Sequence, residues 1–202
     1  MRRLSFFVVL LAWLAAPLLA AAGPLELHVQ GDNGQPLADA VLFLESNEAR
    51  AAVKPAVGVD IAQVRRAFDP LVTVVPVGTA VNFPNRDTVR HHVYSFSAVK
   101  KFEIKLYVGT PAAPVVFDQP GIAVVGCNIH DQMAAWVVVV ATPWYGKTGK
   151  DGVLRLPQVP AGSYRLRSWH ASLPVGAPAA DQAFEVTAAP QQLTIKLAGA
   201  AP

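Results

Sequence analysis

Ile122-Ala123-Val124-Val125-Gly126-Cys127-Asn128-Ile129-His130-Asp131-Gln132-Met133-Ala134-Ala135-Trp136-Val137-Val138-Val139-Val140 is the stretch on which the reading of this chain turns. A short apolar run enters, a polar loop from Cys127 to Met133 interrupts it, and a second apolar run rich in β-branched valine leaves. Two such runs around a tight loop predict a pair of antiparallel strands. The same texture extends in both directions. Val, Thr, Phe and Tyr come in short runs punctuated by Gly, Pro, Asn and Asp, and helical periodicity is nearly absent. That pattern predicts an all-β sandwich, with strands over residues 25–29, 40–44, 71–76, 80–83, 92–97, 113–117, 122–127, 135–141, 152–156, 163–168, 183–186 and 193–197. Residues 51–66 fit a loop, a strand or a short helix.

The central loop carries chemistry as well as a turn. Cys127 is the only cysteine of the 202 residues, so no intramolecular disulfide can form. Cys127, His130 and Met133 place a thiolate, an imidazole and a thioether around one tight turn. A further imidazole must come from elsewhere, because a loop covers only one side of an ion. The pair His91-His92 lies upstream, far enough away to belong to another strand of the sandwich. Thiolate and thioether favour copper(I), and two imidazoles keep copper(II) acceptable; together they form the donor set of a blue-copper electron-transfer centre. Zinc also accepts Cys and His, but a structural zinc site is poorly served by a thioether in the fourth place. Of His91 and His92, alternation along a strand lets one face the metal.

Residues 1–22 read as a secretory signal: Arg2 and Arg3, an apolar stretch from Leu4 to Leu19, then Ala20-Ala21-Ala22. Removal of the two arginines takes Lys+Arg from 17 to 15 against 14 acidic residues, so the exported chain carries about +1 rather than +3. The densest basic patch, Lys100-Lys101 with Lys105, reads as a solvated strand face, and the clustered basic surface that nucleic acid needs is missing. No membrane span is expected after cleavage of the signal. A lone cysteine in an exported protein needs a reason, and metal binding supplies one, since a coordinated thiolate is protected from oxidation. Paired carboxylates, a nucleophile elbow and a phosphate loop are not found, so the expectation is a protein without enzymatic activity.

About residues 68–141 resemble the cupredoxins. Val75-Pro76-Val77-Gly78-Thr79-Ala80-Val81-Asn82-Phe83-Pro84-Asn85-Arg86-Asp87 leads into His91-His92-Val93-Tyr94-Ser95-Phe96, similar to the plastocyanin and amicyanin segment that delivers the first histidine. The Cys-x2-His-x2-Met tail has the short amicyanin spacing. This resemblance implies a Greek-key cupredoxin sandwich binding one copper through His91, Cys127, His130 and Met133. It departs from the pattern twice. His92 stands where an asparagine commonly ties the two ligand loops, and Asp131 stands where amicyanin has proline. Asp131 adds a negative charge beside His130 or is simply a solvated loop acid.

The flanks resemble transthyretin-like domains of the carboxypeptidase-regulatory type. The opening half is Gly31-Asp32-Asn33-Gly34-Gln35-Pro36-Leu37-Ala38-Asp39-Ala40; the closing half is Thr148-Gly149-Lys150-Asp151-Gly152-Val153-Leu154-Arg155-Leu156 with Val159-Pro160-Ala161-Gly162-Ser163-Tyr164-Arg165-Leu166. The expected organisation is a signal at 1–22, a first flanking half with linker at 23–65, the copper-binding domain at 66–142 and a closing half at 143–202. The copper-binding domain would then be inserted in, or packed beside, a small β-sandwich. End to end, the chain is similar to exported bacterial plastocyanin-like proteins labelled methylamine utilisation proteins.

These readings point to a periplasmic one-electron carrier meeting redox proteins transiently. Copper handling is the alternative, although surfaces for metal transport are rich in methionine and this chain has only two. A structural β-protein with a vestigial site is the third. Asn85 and Asp87 read as turn residues, Asn128 as a backbone-shaping loop residue, Trp136 as core and Trp144-Tyr145 as packing at the junction. His28 reads as a surface or edge residue and His170 as a packing or hydrogen-bonding one.

Overall fold

A computed structural model describes residues 22–201. The expected signal lies outside the described residues but for Ala22, the first residue of a strand. No helix among the described residues is long and apolar enough to cross a membrane.

The chain is all-β, with 17 strands among the described residues and one six-residue helix. The opening part holds β1 (Ala22–Gln30), β2 (Val41–Glu45) and α1 (Asn47–Ala52). The middle holds β3 (Val59–Asp60), β4 (Ala62–Val64), β5 (Ala67–Asp69), β6 (Val72–Pro76), β7 (Thr79–Asn82), β8 (His91–Ser95), β9 (Phe102–Tyr107), β10 (Val115–Phe117), β11 (Gly121–Cys127) and β12 (Ala134–Val140). The closing part holds β13 (Tyr145–Lys147), β14 (Val153–Pro160), β15 (Gly162–Trp169), β16 (Ala180–Val186) and β17 (Gln191–Lys196). Helix α1 begins where the Ser46 side chain accepts from the Ala49 amide at 3.0 Å, an N-cap that explains why so short a segment turns helical.

The two ends of the chain share sheets. β1 lies between β14, antiparallel, and β17, parallel. β2 lies between β13 and β15, and β15 continues to β16. Alternate side chains of these strands bury one core, including Leu25, Leu27, Leu42, Leu44, Leu166 and Ile195. The middle strands form their own five-stranded sheet, β6-β12-β11-β8-β9, with the smaller sheet β10-β7-β3. Phe83, Val93, Phe117, Val125, Cys127, Met133 and Val137 lie in a second core built wholly from this stretch. A third cluster joins Val41, Phe43 and Trp169 to Val72, Val138 and Val140, because β12 buries residues on both of its faces. Replacing Leu166, 1 % exposed, by alanine is expected to cost about 2–5 kcal/mol in chemical denaturation, through lost transfer energy and the cavity left behind.

Each of the twelve expected strands overlaps an observed one. β9 is not among the twelve expected strands, although the Lys100-Lys101-Lys105 patch reads as a strand face; Phe102 and Ile104 alternate with outward Glu103 and Lys105 on an edge strand, where charge guards against stray pairing. β14 runs four residues past its expected end at 156 and includes two prolines. An edge position tolerates a residue with no N–H, and β14 is an edge. The ambiguous segment 51–66 resolves into the end of α1, a loop, and the short strands β3 and β4.

Candidate metal centre

Antiparallel pairing of β11 with β12, from Gly121 opposite Val139 to Gly126 opposite Ala134, brings the two ends of the central loop together. Two backbone bonds then close the loop: the Cys127 amide donates to the Met133 carbonyl (3.1 Å), and the Met133 amide donates to the His130 carbonyl (2.9 Å). Cys127 therefore ends the incoming strand, His130 lies between two turns, and Met133 precedes the outgoing strand.

β8 supplies the residue from the far side. It pairs with β11 so that Val93 faces Cys127, and an irregularity in its pairing with β9 falls between His91 and Val93. His91 is fully buried. Its Nδ1 lies 3.7 Å from Cys127 Sγ, and His130 Nδ1 lies 3.6 Å from the same sulfur. The two rings are 5.0 Å apart. One donor atom from each of these three residues lies within 4.8 Å of the others. Bonds of about 2.0–2.3 Å meeting at tetrahedral to trigonal angles would set sulfur and nitrogen donors roughly 3.6–3.8 Å apart, so the observed spacing fits a single shared ion. Met133, buried at 3 %, packs in the same core cluster as Cys127.

His92 belongs elsewhere. Its Nε2 lies 3.0 Å from Glu103 Oε1 on β9, and its ring stands edge-on to Tyr94. Both histidines of the pair are buried, on different partners. His28 bonds Glu26 and Gln192, and His170 bonds Ser172, with burial holding the His170 imidazole below its ordinary range. Neither joins a cluster of three donors among the described residues.

The surroundings of His91 were not legible in advance. Asn85, expected to be a turn residue, is buried and ties its loop to β9: its side-chain amide donates to the carbonyls of Val89 and Tyr107 (both 2.9 Å), and its Oδ1 accepts from the Asp87 amide. The Asp87 carboxylate lies 2.8 Å from His91 Nε2. Burial pushes the Asp87 carboxyl up, but the amides of Arg66 and Arg65 and the His91 ring outweigh it and hold it below the usual carboxylate range. Burial pushes the Tyr107 phenol up to about 12, against the hydrogen bond it makes to Gln63, with the nearby Cys127 adding to the rise. Tyr107 thus stays protonated and donates to Gln63 Oε1 and the Phe83 carbonyl. Asp87 stands four positions before His91, the one trace of this arrangement in the sequence.

Toward solvent, His130 is half-buried beside Ile129, which is 48 % exposed, and Asp131 is exposed. On another side a groove of about 530 Å³ reaches Cys127 and Met133, lined also by Tyr94, Phe96, Asn128 and Val175. Gly126 lets the Tyr94 ring lie against the strand, since a Cβ there would meet it at 3.1 Å.

No protein-family model matches the chain. No curated protein matches it. Among solved structures it is similar to a purple cupredoxin from Nitrosopumilus maritimus, at 22 % identity over 41 % of this chain and 100 % of that one, with a TM-score of 0.37. An amicyanin variant in its reduced copper(I) form aligns at 21 % identity over 49 % of this chain and 98 % of that one, with a TM-score of 0.38. A copper-containing nitrite reductase from Thermus scotoductus aligns at 24 % identity over 56 % of this chain and 28 % of that one, with a TM-score of 0.39.

Proposed function

We propose that this chain is an exported blue-copper protein that carries one electron at a time between redox partners. The reading is carried by the convergence of one buried cysteine sulfur and two imidazole Nδ1 atoms, from two separate segments, at the spacing of a single ion. His91, Cys127, His130 and Met133 would hold one copper per chain, the thiolate and thioether suiting copper(I) and the two imidazoles copper(II). Bound copper supplies the one-electron couple. The protein's part is to hold the donors still: His91 is fully buried, Cys127 and Met133 lie in a packed core, and the loop is closed by its own backbone bonds. Donors held in this way need little rearrangement when the charge on the site changes.

Residues 66–142 form the copper-binding module in this reading, and 23–65 with 143–202 form the flanking one; each region has a core of its own, although Ile61, before the boundary, packs in the core of the copper-binding module. His130 beside exposed Ile129 is the exit for the electron, bordered by Met133 and Ala134. A small apolar patch of this kind suits brief docking. The periplasm is the expected compartment.

Voltammetry separates carrying electrons from delivering copper. Repeated reduction and oxidation of the copper-loaded protein in the presence of a modest copper(I) chelator is expected to be reversible, with the metal content unchanged. Transfer of copper to the chelator on reduction would favour the handling reading instead.

A further inference from the structure

The hairpin of β4 and β5 contributes no donor atom to the candidate metal centre, yet its turn is unusual. Arg65 and Arg66 both take positive φ, 53° and 57°. Two consecutive left-handed residues form the kind of turn that Asn-Gly adopts readily and side chains such as arginine do not. The guanidinium groups do not explain the choice, because both residues are exposed. The backbone does. In this conformation the Arg65 amide donates to Asp87 Oδ1 (2.5 Å) and the Arg66 amide to Asp87 Oδ2 (2.9 Å). The hairpin is locked against the His91 loop next door: the Gln63 amide donates to the Pro84 carbonyl (2.9 Å), the Arg86 amide to the Gln63 carbonyl (3.0 Å), and Tyr107 to Gln63 Oε1 (2.8 Å).

Asp87 Oδ2, held in this way, lies 2.8 Å from His91 Nε2, while His91 Nδ1 faces Cys127 Sγ. A carboxylate can only accept, so the nitrogen beside it carries the proton and the other keeps its lone pair. We propose that Asp87 is the positioning residue of His91, clamped by the backbone amides of the Arg65-Arg66 turn so that His91 stays in its Nε2–H form with Nδ1 free to bind. Carboxylate partners of this kind orient a ligand histidine and raise its basicity. The tautomer part of this inference stands on the protein alone; its effect on the metal rests on the copper reading above.

The metal-free protein gives the first test. Nitrogen-15 NMR of the His91 ring is expected to show a single, protected Nε2–H in the parent and mixed tautomers in Asp87→Ala. In the copper-loaded protein, Asp87→Asn is expected to raise the reduction potential while keeping the visible band, because a negative charge next to a ligand is lost. Asp87→Ala is expected to weaken copper binding about 10–100-fold. A single Nε2–H tautomer in folded Asp87→Ala overturns the proposal, and so does an unchanged potential in Asp87→Asn. The second criterion serves if Asp87→Ala fails to fold. A protein that takes up no copper defeats the functional reading and leaves the tautomer measurement to decide this one.

Discussion

Copper-loaded Cys127→Ser is expected to lose the intense visible absorption of the parent protein completely. The colour arises from charge transfer between thiolate sulfur and copper(II), and this chain has one sulfur able to provide it as an anion. A serine hydroxyl stays protonated at neutral pH and is a poor donor to a soft ion, so the remaining imidazoles and thioether would hold copper weakly. The substitution is nearly isosteric at a position 5 % exposed, where the neighbouring Nδ1 atoms of His91 and His130 can accept from the new hydroxyl. The fold is therefore expected to survive, and circular dichroism of the metal-free variant checks this. Optical titration with copper(II) measures the effect. A parent protein that stays colourless and binds zinc as well as copper would defeat the blue-copper reading.

His91→Ala is expected to abolish the site and to destabilise the metal-free protein by about 2–4 kcal/mol. The ring is fully buried, so truncation leaves a cavity, and it removes a hydrogen-bond partner from the buried side of Asp87. His92→Ala should behave quite differently. Its Nε2 points to the half-exposed Glu103 and away from Cys127, so its loss removes no donor from the metal centre. Copper should still bind, with a modest change in potential. Thermal denaturation of both metal-free variants and copper titration of each make the comparison. Equal damage from the two, or greater damage from His92→Ala, would mean that the wrong member of the pair has been assigned to the metal.

The contrast between these neighbours marks where sequence reading reached its limit. Cys127, His130 and Met133 belong to one hairpin, so their spacing along the chain already constrains their spacing in space. Alternation alone allows only one of His91 and His92 to face the metal, and resemblance to a family pattern pointed to His91. In the structure the pair divides between Cys127 on one side and Glu103 on the other. Asp87 looked like an ordinary turn residue because its partners, the amides of Arg65 and Arg66, are 22 and 21 residues away, and backbone amides leave no mark in a sequence.

The sequence by itself determined the all-β class, the positions of most strands and a loop carrying closely spaced metal-donor side chains, because period-two alternation, turn residues and donor spacing are short-range properties of the chain. Tertiary structure alone decided that β1 lies beside β17, that β9 completes the sheet next to β8, and that a strained two-arginine turn grips Asp87 behind His91. Those pairings join residues far apart along the chain. They are selected by which apolar faces can be buried together and which buried polar groups must find partners, conditions that exist only once the whole chain has packed.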